Sequence, residues 1–206
     1  MMGGESLLVT LALWGMHLFY LTSFIPQIVI NFKLQTSKGL SGVLLFGYLN
    51  GYLAFIYYFS CFNYSISHQI WNALQFLAVL ILIFQRLYYD SSNNFFKLFF
   101  LFLGNMIFAT FFLPFAWSNP TLFGNISAWV AAFFFCISQF FQIGKIYTTK
   151  SVAGFSFWFV LMMLFGALLE LTVVYIASYA FQSRLSLWRF VMGCGIYCFQ
   201  FLMYRK

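Results

Sequence analysis

The residue with the clearest chemical potential is Glu170, an acidic side chain well inside a long apolar run (GALLELTVVY). An acid at the centre of a membrane helix costs about 2.5–3.5 kcal/mol on insertion scales, so such a side chain usually faces a cavity and has a task. This carboxyl could exchange a proton during coupled transport, or it could stay ionised and bind a cationic group of a solute. The structural alternative is a bridge to a Lys, Arg or His.

A second candidate is the dipeptide Pro26-Gln27, near the end of the first apolar run in SFIPQIVINFKLQTSKGLS. Proline removes a helical hydrogen bond and leaves a carbonyl free, and the glutamine adds an amide at the same depth. A comparable segment, SQFFQIGKIYTTKSVAGFS, ends a later run and has Phe141-Gln142 at the equivalent point. A lone proline would predict a simple kink, but a second glutamine in the same context is harder to explain that way.

Other polar residues inside apolar runs are weaker candidates. His17 could share a proton with Glu170 or line a cavity, although a lone histidine on an apolar helix is more often a satisfied interior residue. Asn50 and Gln139 are further candidates for a cavity. The sequence has no GxSxG, no Gly-rich phosphate loop and no metal-ligand spacing. We therefore predict no catalytic residue, metal site or cofactor, and no enzymatic activity.

The composition indicates the environment of these residues. The chain is 64% hydrophobic and only 6% charged, whereas soluble domains carry about 25% charged residues. Such a surface requires lipid, which excludes a soluble globular protein. The net charge of +7 does not indicate a nucleic-acid partner, because the cations form well-spaced pairs between apolar runs, as in membrane loops.

A bilayer core of about 30 Å needs about 20 apolar residues per helix. Seven runs meet or approach this length, which predicts an all-α integral membrane protein with seven transmembrane helices. The runs are Leu7–Ile30, Val43–Phe62, Ile66–Gln85, Phe95–Phe115, Ser127–Ile146, Phe157–Ile176 and Leu187–Met203.

The positions of the cations predict the orientation. With seven spans, most of the Lys and Arg residues fall on one side of the membrane, and only Arg184 and Arg189 fall on the other. The first group is Lys33, Lys38, Arg86, Lys97, Lys145, Lys150, Arg205 and Lys206. The positive-inside rule then places the N-terminus outside and the C-terminus in the cytoplasm. A bacterial inner membrane and a eukaryotic organellar or plasma membrane both remain open.

The chain contains an internal repeat with an offset of 115 residues. Identities in this register include Trp14/Trp129, Ser23/Ser138, Gln27/Gln142, Gly39/Gly154, Ser41/Ser156, Gly51/Gly166 and Gln85/Gln200. We therefore divide the chain into a first triple-helix repeat (1–90), a linker helix region (91–123) and a second repeat (124–206). An odd number of spans per repeat plus one linker span gives two parallel three-helix bundles, a known plan for transporters.

These motifs resemble the PQ-loop repeat family, which includes the SWEET and SemiSWEET sugar carriers, cystinosin and lysosomal cationic amino-acid transporters. Pro26-Gln27 matches the family dipeptide. The turn residues that match are Thr36, Gly39 and Ser41 in the first copy, and Lys150-Ser151, Gly154 and Ser156 in the second. The second copy departs from the pattern, with Phe141 in place of proline. The resemblance implies alternating access, with Pro26, Gln27, Phe141 and Gln142 as hinges.

The resemblance also suggests residues that bind a solute. Asn72 lies where SemiSWEET-like members place an asparagine facing the substrate, but its repeat partner is Leu187. Asn72 could instead hydrogen-bond between helices. The predicted substrate-binding residues are Asn72, Phe55, Asn50 and Glu170, and Phe55 is the repeat partner of Glu170. The proton-coupling candidates are Glu170 and His17.

We expect a secondary transporter of a small polar solute, proton-coupled and specific for an amino acid or a related cation. A SWEET-like sugar facilitator and a non-transporting receptor or escort are the alternatives. The expected partners are the solute, protons and the bilayer. Two fused repeats can complete one pathway, so a monomer suffices, and a homo-oligomer is left open.

Overall fold

The computed structural model describes residues 7–64, 66–90, 100, 103–105, 107, 110–111, 113–176 and 181–204, with the backbone alone at 113, 115, 116, 181–186 and 189. These residues contain helices and no strand. The helices are α1 (Leu7–Leu34), α2 (Gly42–Cys61), α3 (Ile66–Tyr89), α4 (Leu113–Ser118), α5 (Pro120–Thr149), α6 (Phe157–Ile176) and α7 (Phe181–Tyr204).

The helical membrane architecture predicted from the apolar runs is confirmed. Five helices, α1, α2, α3, α5 and α6, are long and apolar enough to cross a bilayer. In α7, only Phe190–Tyr204 is apolar, since Arg184 and Arg189 lie in its first half. Most of the predicted span Phe95–Phe115 lies outside the described residues, as do Lys97, Arg205 and Lys206.

The helix boundaries follow the sequence repeat. A shift of 115 positions carries the start of α2 onto the start of α6, and the end of α1 onto the end of α5. The caps repeat as well: the Ser41 hydroxyl accepts from the Leu44 N–H at 2.9 Å, and the Ser156 hydroxyl accepts from the Phe159 N–H at 3.2 Å. Serine at these positions satisfies N–H groups that a starting helix leaves free.

Each half is a bundle in which the third helix packs between the first two. Thus α3 contacts α1 and α2, and α7 contacts α5 and α6. Equivalent amides fix the third helices: Gln85 Nε2 donates to the Ile28 carbonyl at 3.1 Å, and Gln200 Nε2 donates to the Ile143 carbonyl at 3.0 Å. The halves meet where α1 packs on α6 and α2 packs on α5. Six helices therefore form a ring around a common centre.

The helix α1 shows how the ring is oriented towards lipid. An apolar stripe repeats every seven residues on its outer face, with Leu11, Leu18, Ile25 and Phe32 between 54% and 64% exposed. The inward face carries buried polar residues, Ser23, Gln27 and Asn31. Lipid accepts the first face, while the polar groups of the second face find partners inside the protein.

Two sides of the molecule are distinguished below. The turn side contains the α1–α2 turn (35–41) and the α5–α6 turn (150–156). The cavity side is the opposite one, where α2 ends and α3 and α5 begin. The predicted orientation would make the turn side cytoplasmic.

Candidate functional site

A cavity of about 270 Å³ lies between the two halves. Residues of α1, α2, α3, α5, α6 and α7 line it. It extends towards the cavity side, where the exposed Asn125 is one of its lining residues. A space of this kind between two repeats is where transporters bind their solute.

Glu170 lines the cavity and is bonded across the interface between the halves. The Tyr20 hydroxyl on α1 donates to Glu170 Oε2 on α6 at 2.6 Å. Gly166, one turn earlier on α6, makes this possible, since a Cβ there would lie 2.7 Å from the Tyr20 ring. Among the described side chains, Glu170 forms no bridge to a Lys, Arg or His. The structural alternative for this acid is therefore not observed.

The repeat register gives this pair an aromatic counterpart. Phe135 corresponds to Tyr20 and Phe55 corresponds to Glu170, and their ring centroids lie 5.5 Å apart. Gly51 makes room for Phe135, since a Cβ there would lie 2.6 Å from the ring. The same inter-half contact is thus aromatic on one side of the cavity and acidic on the other.

Aromatic rings separate the cavity from the turn side. Tyr48, Tyr52 and Phe135 line the cavity and pack edge to face, with the Tyr52 and Phe135 centroids 5.1 Å apart. Phe24 packs against both tyrosines and lies 5.6 Å from Phe159. All of these rings except Phe135 are buried. A solute in the cavity could not pass this layer without a rearrangement.

His17 lines the cavity and packs against two side chains of α3. Its ring stacks on Trp71 at 5.9 Å, with an angle of 4° between the planes, and meets His68 edge to face at 5.2 Å. Both nitrogens of His17 are buried and have no hydrogen-bond partner among the described residues. No hydrogen bond joins His17 to Glu170. Tyr20, which does bond to Glu170, lies three residues after His17 on α1, so the two side chains are neighbours on the surface of that helix.

The two asparagines differ in position. Asn72 lines the cavity, and its amide donates to the Tyr52 carbonyl at 2.9 Å, so it also holds α3 against α2. Its repeat partner Leu187 lines the cavity too. Asn50 is buried, bonds to the Phe46 carbonyl of its own helix at 2.8 Å, and is not among the lining residues.

The motif glutamines each bind the turn of the other half. Gln27 accepts from the Ser156 N–H at 2.8 Å and donates to the Gly154 carbonyl at 2.8 Å. Gln142 accepts from the Ser41 N–H at 2.6 Å and donates to the Gly39 carbonyl at 3.0 Å. These four bonds are related by the repeat, and they close the turn side between the halves.

Lys145 adds to this closure, while Arg86 and Asp90 fix the α1–α2 turn within the first half. Lys145 of the second half donates to the Leu40 carbonyl of the first at 2.9 Å and also to the Lys38 carbonyl. Arg86 donates to the same Leu40 carbonyl at 2.5 Å. Asp90 accepts from the Ser37 hydroxyl at 2.8 Å. The described conformation is therefore closed at the turn side, with its cavity towards the other side.

The other two hinge candidates lie in continuous helices. Pro26 is inside α1, next to Gln27, and deprives the Thr22 carbonyl of its usual partner. Phe141 is 52% exposed on the outer face of α5. The glutamines therefore bridge the halves, whereas the residue before the second glutamine faces outwards.

Sequence reasoning missed three neighbours of the predicted residues: Tyr20, His68 and Trp71. For Tyr20 a signal existed, because it is the repeat partner of Phe135 just as Glu170 is the partner of Phe55. Two departures from the repeat, a hydroxyl and a carboxyl, indicate a pair. His68 and Trp71 also depart from the repeat, since the corresponding positions are both serine, but that departure does not indicate which residue they contact.

Comparison with known families finds the same repeat in the chain. Residues 8–68 and 123–183 each match the PQ loop repeat. The two matched segments are separated by the offset that relates the helices, and together they cover more than half of the chain. A comparison with curated proteins found no significant match. The chain therefore belongs to the PQ loop repeat family, a family of multi-pass membrane proteins that are generally transporters or related proteins rather than enzymes.

Proposed function

We propose that this protein is a secondary transporter that moves a small polar solute by alternating access, with proton coupling through Glu170. The solute is an amino acid or a related cationic compound that occupies the cavity between the halves. The observation that carries the proposal is the 2.6 Å bond from Tyr20 to Glu170, because this carboxyl lines the cavity and bonds across the interface between the halves.

The chemistry of coupling follows from that position. An ionised Glu170 accepts strongly from the Tyr20 hydroxyl, since bonds to a charged acceptor are stronger than neutral ones. Protonation weakens this bond between α1 and α6 and removes the negative charge that attracts a cation. Solute and proton therefore both act on the Glu170 carboxyl. The protonation state of this carboxyl changes the strength of the contact between the halves.

The hinge assignment is part of the proposal. Opening the turn side requires the bonds from Gln27 and Gln142 to the opposite turns to break, while the cavity side closes over the solute. Pro26 leaves α1 with one helical bond fewer, so α1 bends there at lower cost than α5 bends at Phe141.

A SWEET-like sugar facilitator is a weaker alternative. Asn72 is the one predicted sugar contact that lines the cavity, but its amide already binds the Tyr52 carbonyl and its repeat partner is Leu187. A receptor or escort on the same scaffold would bind a solute without moving it.

The test is uptake into proteoliposomes loaded with a pH-sensitive dye. A panel of radiolabelled amino acids, amines and sugars is offered with and without an imposed pH gradient. We expect accumulation that depends on the gradient, and loss of that dependence in Glu170→Gln. Thr172→Val, a change on the lipid-exposed face of α6, is the matched control. Normal gradient-driven uptake by Glu170→Gln would contradict coupling at this residue, and binding without any flux would favour the receptor.

A further inference from the structure

The wall of the cavity is mostly aromatic. Rings that line it include Tyr48, Tyr52, Phe55, Tyr58, Phe59 and Phe135. Phe135 lies at the centre of this group, with the Tyr48, Tyr52 and Phe55 centroids between 5.1 and 5.5 Å away. The faces of aromatic rings attract cations, and sites for quaternary ammonium groups are built from such rings.

The charged side chains on the cavity wall favour a cation. Glu170 is the one acid among the described lining residues, and none of them is Lys or Arg. Glu170 and the rings around Phe135 line one cavity, so the acid and the rings act on the same volume. A cation gains from both, whereas a carboxylate there would be buried next to a negative charge.

His17 is a second hydrogen-bonding group on the cavity wall, on the same helix as Tyr20. The ring lines the cavity, and both of its nitrogens are buried without a partner among the described residues, so a solute can bond to them once the ring turns towards the cavity. His17 and Tyr20 are three residues apart on α1, which places their Cβ atoms about 5–6 Å apart. A short solute could interact with Glu170 at one end and with His17 at the other.

We propose that the cargo is a small organic cation, a methylated ammonium or amine with a neutral hydroxyl or carbonyl group and no carboxylate. This inference rests on the proposed function, since it names the solute class for the same cavity. It also predicts that amines bind in the cavity and amino acids do not, because the carboxylate of an amino acid would need a cationic partner. The cavity of about 270 Å³ lies below the usual 300–1,000 Å³ of drug-sized pockets, so the solute is small.

Choline and three related probes test the proposal on the purified full-length protein. The neutral compound 3,3-dimethyl-1-butanol has the shape of choline without its charge, glycine betaine adds a carboxylate, and glucose represents the sugars. Binding is measured by calorimetry and by the shift in thermal unfolding. We expect choline to bind at least about tenfold more tightly than each of the others, a ratio equivalent to 1.4 kcal/mol. Equal binding of the neutral analogue or of betaine would overturn the proposal.

A pair of variants tests the aromatic contribution. Phe135→Leu removes the central ring but keeps an apolar side chain, and should weaken choline binding about threefold to thirtyfold. Phe133→Leu makes the same change two residues away, at a site that is 59% exposed on the outer face, and should bind choline normally. If both variants are folded and bind choline equally well, the rings do not form the site.

Flux measurements separate this inference from the proposed function. Choline counterflow in proteoliposomes is compared with counterflow of arginine and glucose. Choline binding without flux of any probe would contradict the transporter proposal and support the cation site. Flux of arginine or glucose with no choline binding would leave the transporter proposal intact and overturn the cation site.

Discussion

Gly39 and Gly154 touch through their backbones at the interface between the two halves. A Cβ on Gly39 would lie 2.1 Å from both the carbonyl carbon and the carbonyl oxygen of Gly154. Gly154 also has a φ of +73°, a conformation that favours glycine. The two turns meet so closely because Gln27 and Gln142 each draw the opposite turn towards their own helix.

Adding a methyl group at Gly39 should therefore force the turns apart. We expect Gly39→Ala to lower the free energy of unfolding by about 1–3 kcal/mol, the range for overpacking, and to slow transport by preventing full closure of the turn side. Thermal unfolding in detergent and uptake measure the two effects. Gly144→Ala is the control: beyond its own helix backbone and chain neighbours, no described group lies within 4 Å of its Cβ position, and alanine is more favourable than glycine in a helix by about 1 kcal/mol. Equal stability of both variants would contradict the contact.

Replacing either motif glutamine should loosen the turn side to a similar extent. Gln27→Leu and Gln142→Leu each delete two bonds between the halves and leave backbone groups of the opposite turn without partners, at about 1–3 kcal/mol per group. We expect faster maleimide labelling of a cysteine placed at the fully buried Leu40, in a protein that lacks the native cysteines. Gln69→Leu, on the cavity side, should leave labelling unchanged. Slow labelling in both motif variants would show that these bonds do not keep the side closed.

The acidic pair should contribute to transport more than to stability. The double change Tyr20→Phe with Glu170→Phe recreates the contact that Phe135 and Phe55 already make. We expect a folded protein with unchanged or higher thermal stability, because replacing buried polar pairs by apolar ones is often neutral or stabilising. Transport and its response to a pH gradient should be lost. Retained gradient-driven uptake would exclude a role for the pair, and Phe133→Leu serves as the folded, active control.

The two halves also differ at Asn31, and this difference predicts an effect on the free energy of unfolding. Asn31 donates to Gln85 Oε1 at 3.1 Å and accepts from Gln27 at 2.8 Å. Its repeat partner is Ile146, and Gln200 Oε1 is buried with no hydrogen-bond partner in the described part of the chain. Asn31→Leu should destabilise the protein by about 0.5–2 kcal/mol.

The reverse change, Ile146→Asn, provides the matched test of that asymmetry. It supplies the missing donor for Gln200 and can accept from Gln142, so we expect a neutral or stabilising effect in thermal unfolding. A large loss of stability in Ile146→Asn, with none in Asn31→Leu, would contradict the bonding pattern.

Much of the fold was predictable from the sequence. The register that pairs Gly51 with Gly166 and Gln85 with Gln200 correctly predicted two three-helix units. The apolar runs located the five described helices that are long and apolar enough to cross a bilayer, although α1 continues to Leu34 beyond the predicted end at Ile30. Hydrophobicity alone underestimates such ends, since buried polar residues like Asn31 extend a helix inside a membrane protein. The orientation in the membrane and the division into domains stay predictions.

The candidate site was predictable only in part. Glu170, Asn72, Phe55 and His17 were predicted and all line the cavity. Asn50 was predicted for the same reason, a polar residue in an apolar run, but it bonds to its own helix. Composition and spacing show that a residue is polar and buried, but the direction of its side chain depends on how neighbouring helices pack.

The sequence by itself determined that this chain is a helical membrane protein with two equivalent halves, because lipid demands apolar runs and duplication leaves its register in the residues. Only the tertiary structure decided which groups meet across the halves: Gln27 with the turn at Gly154, and Tyr20 with Glu170. Those contacts join residues more than a hundred positions apart. They depend on distances of a few ångströms between packed helices, and the pattern of residues along the chain does not specify these distances.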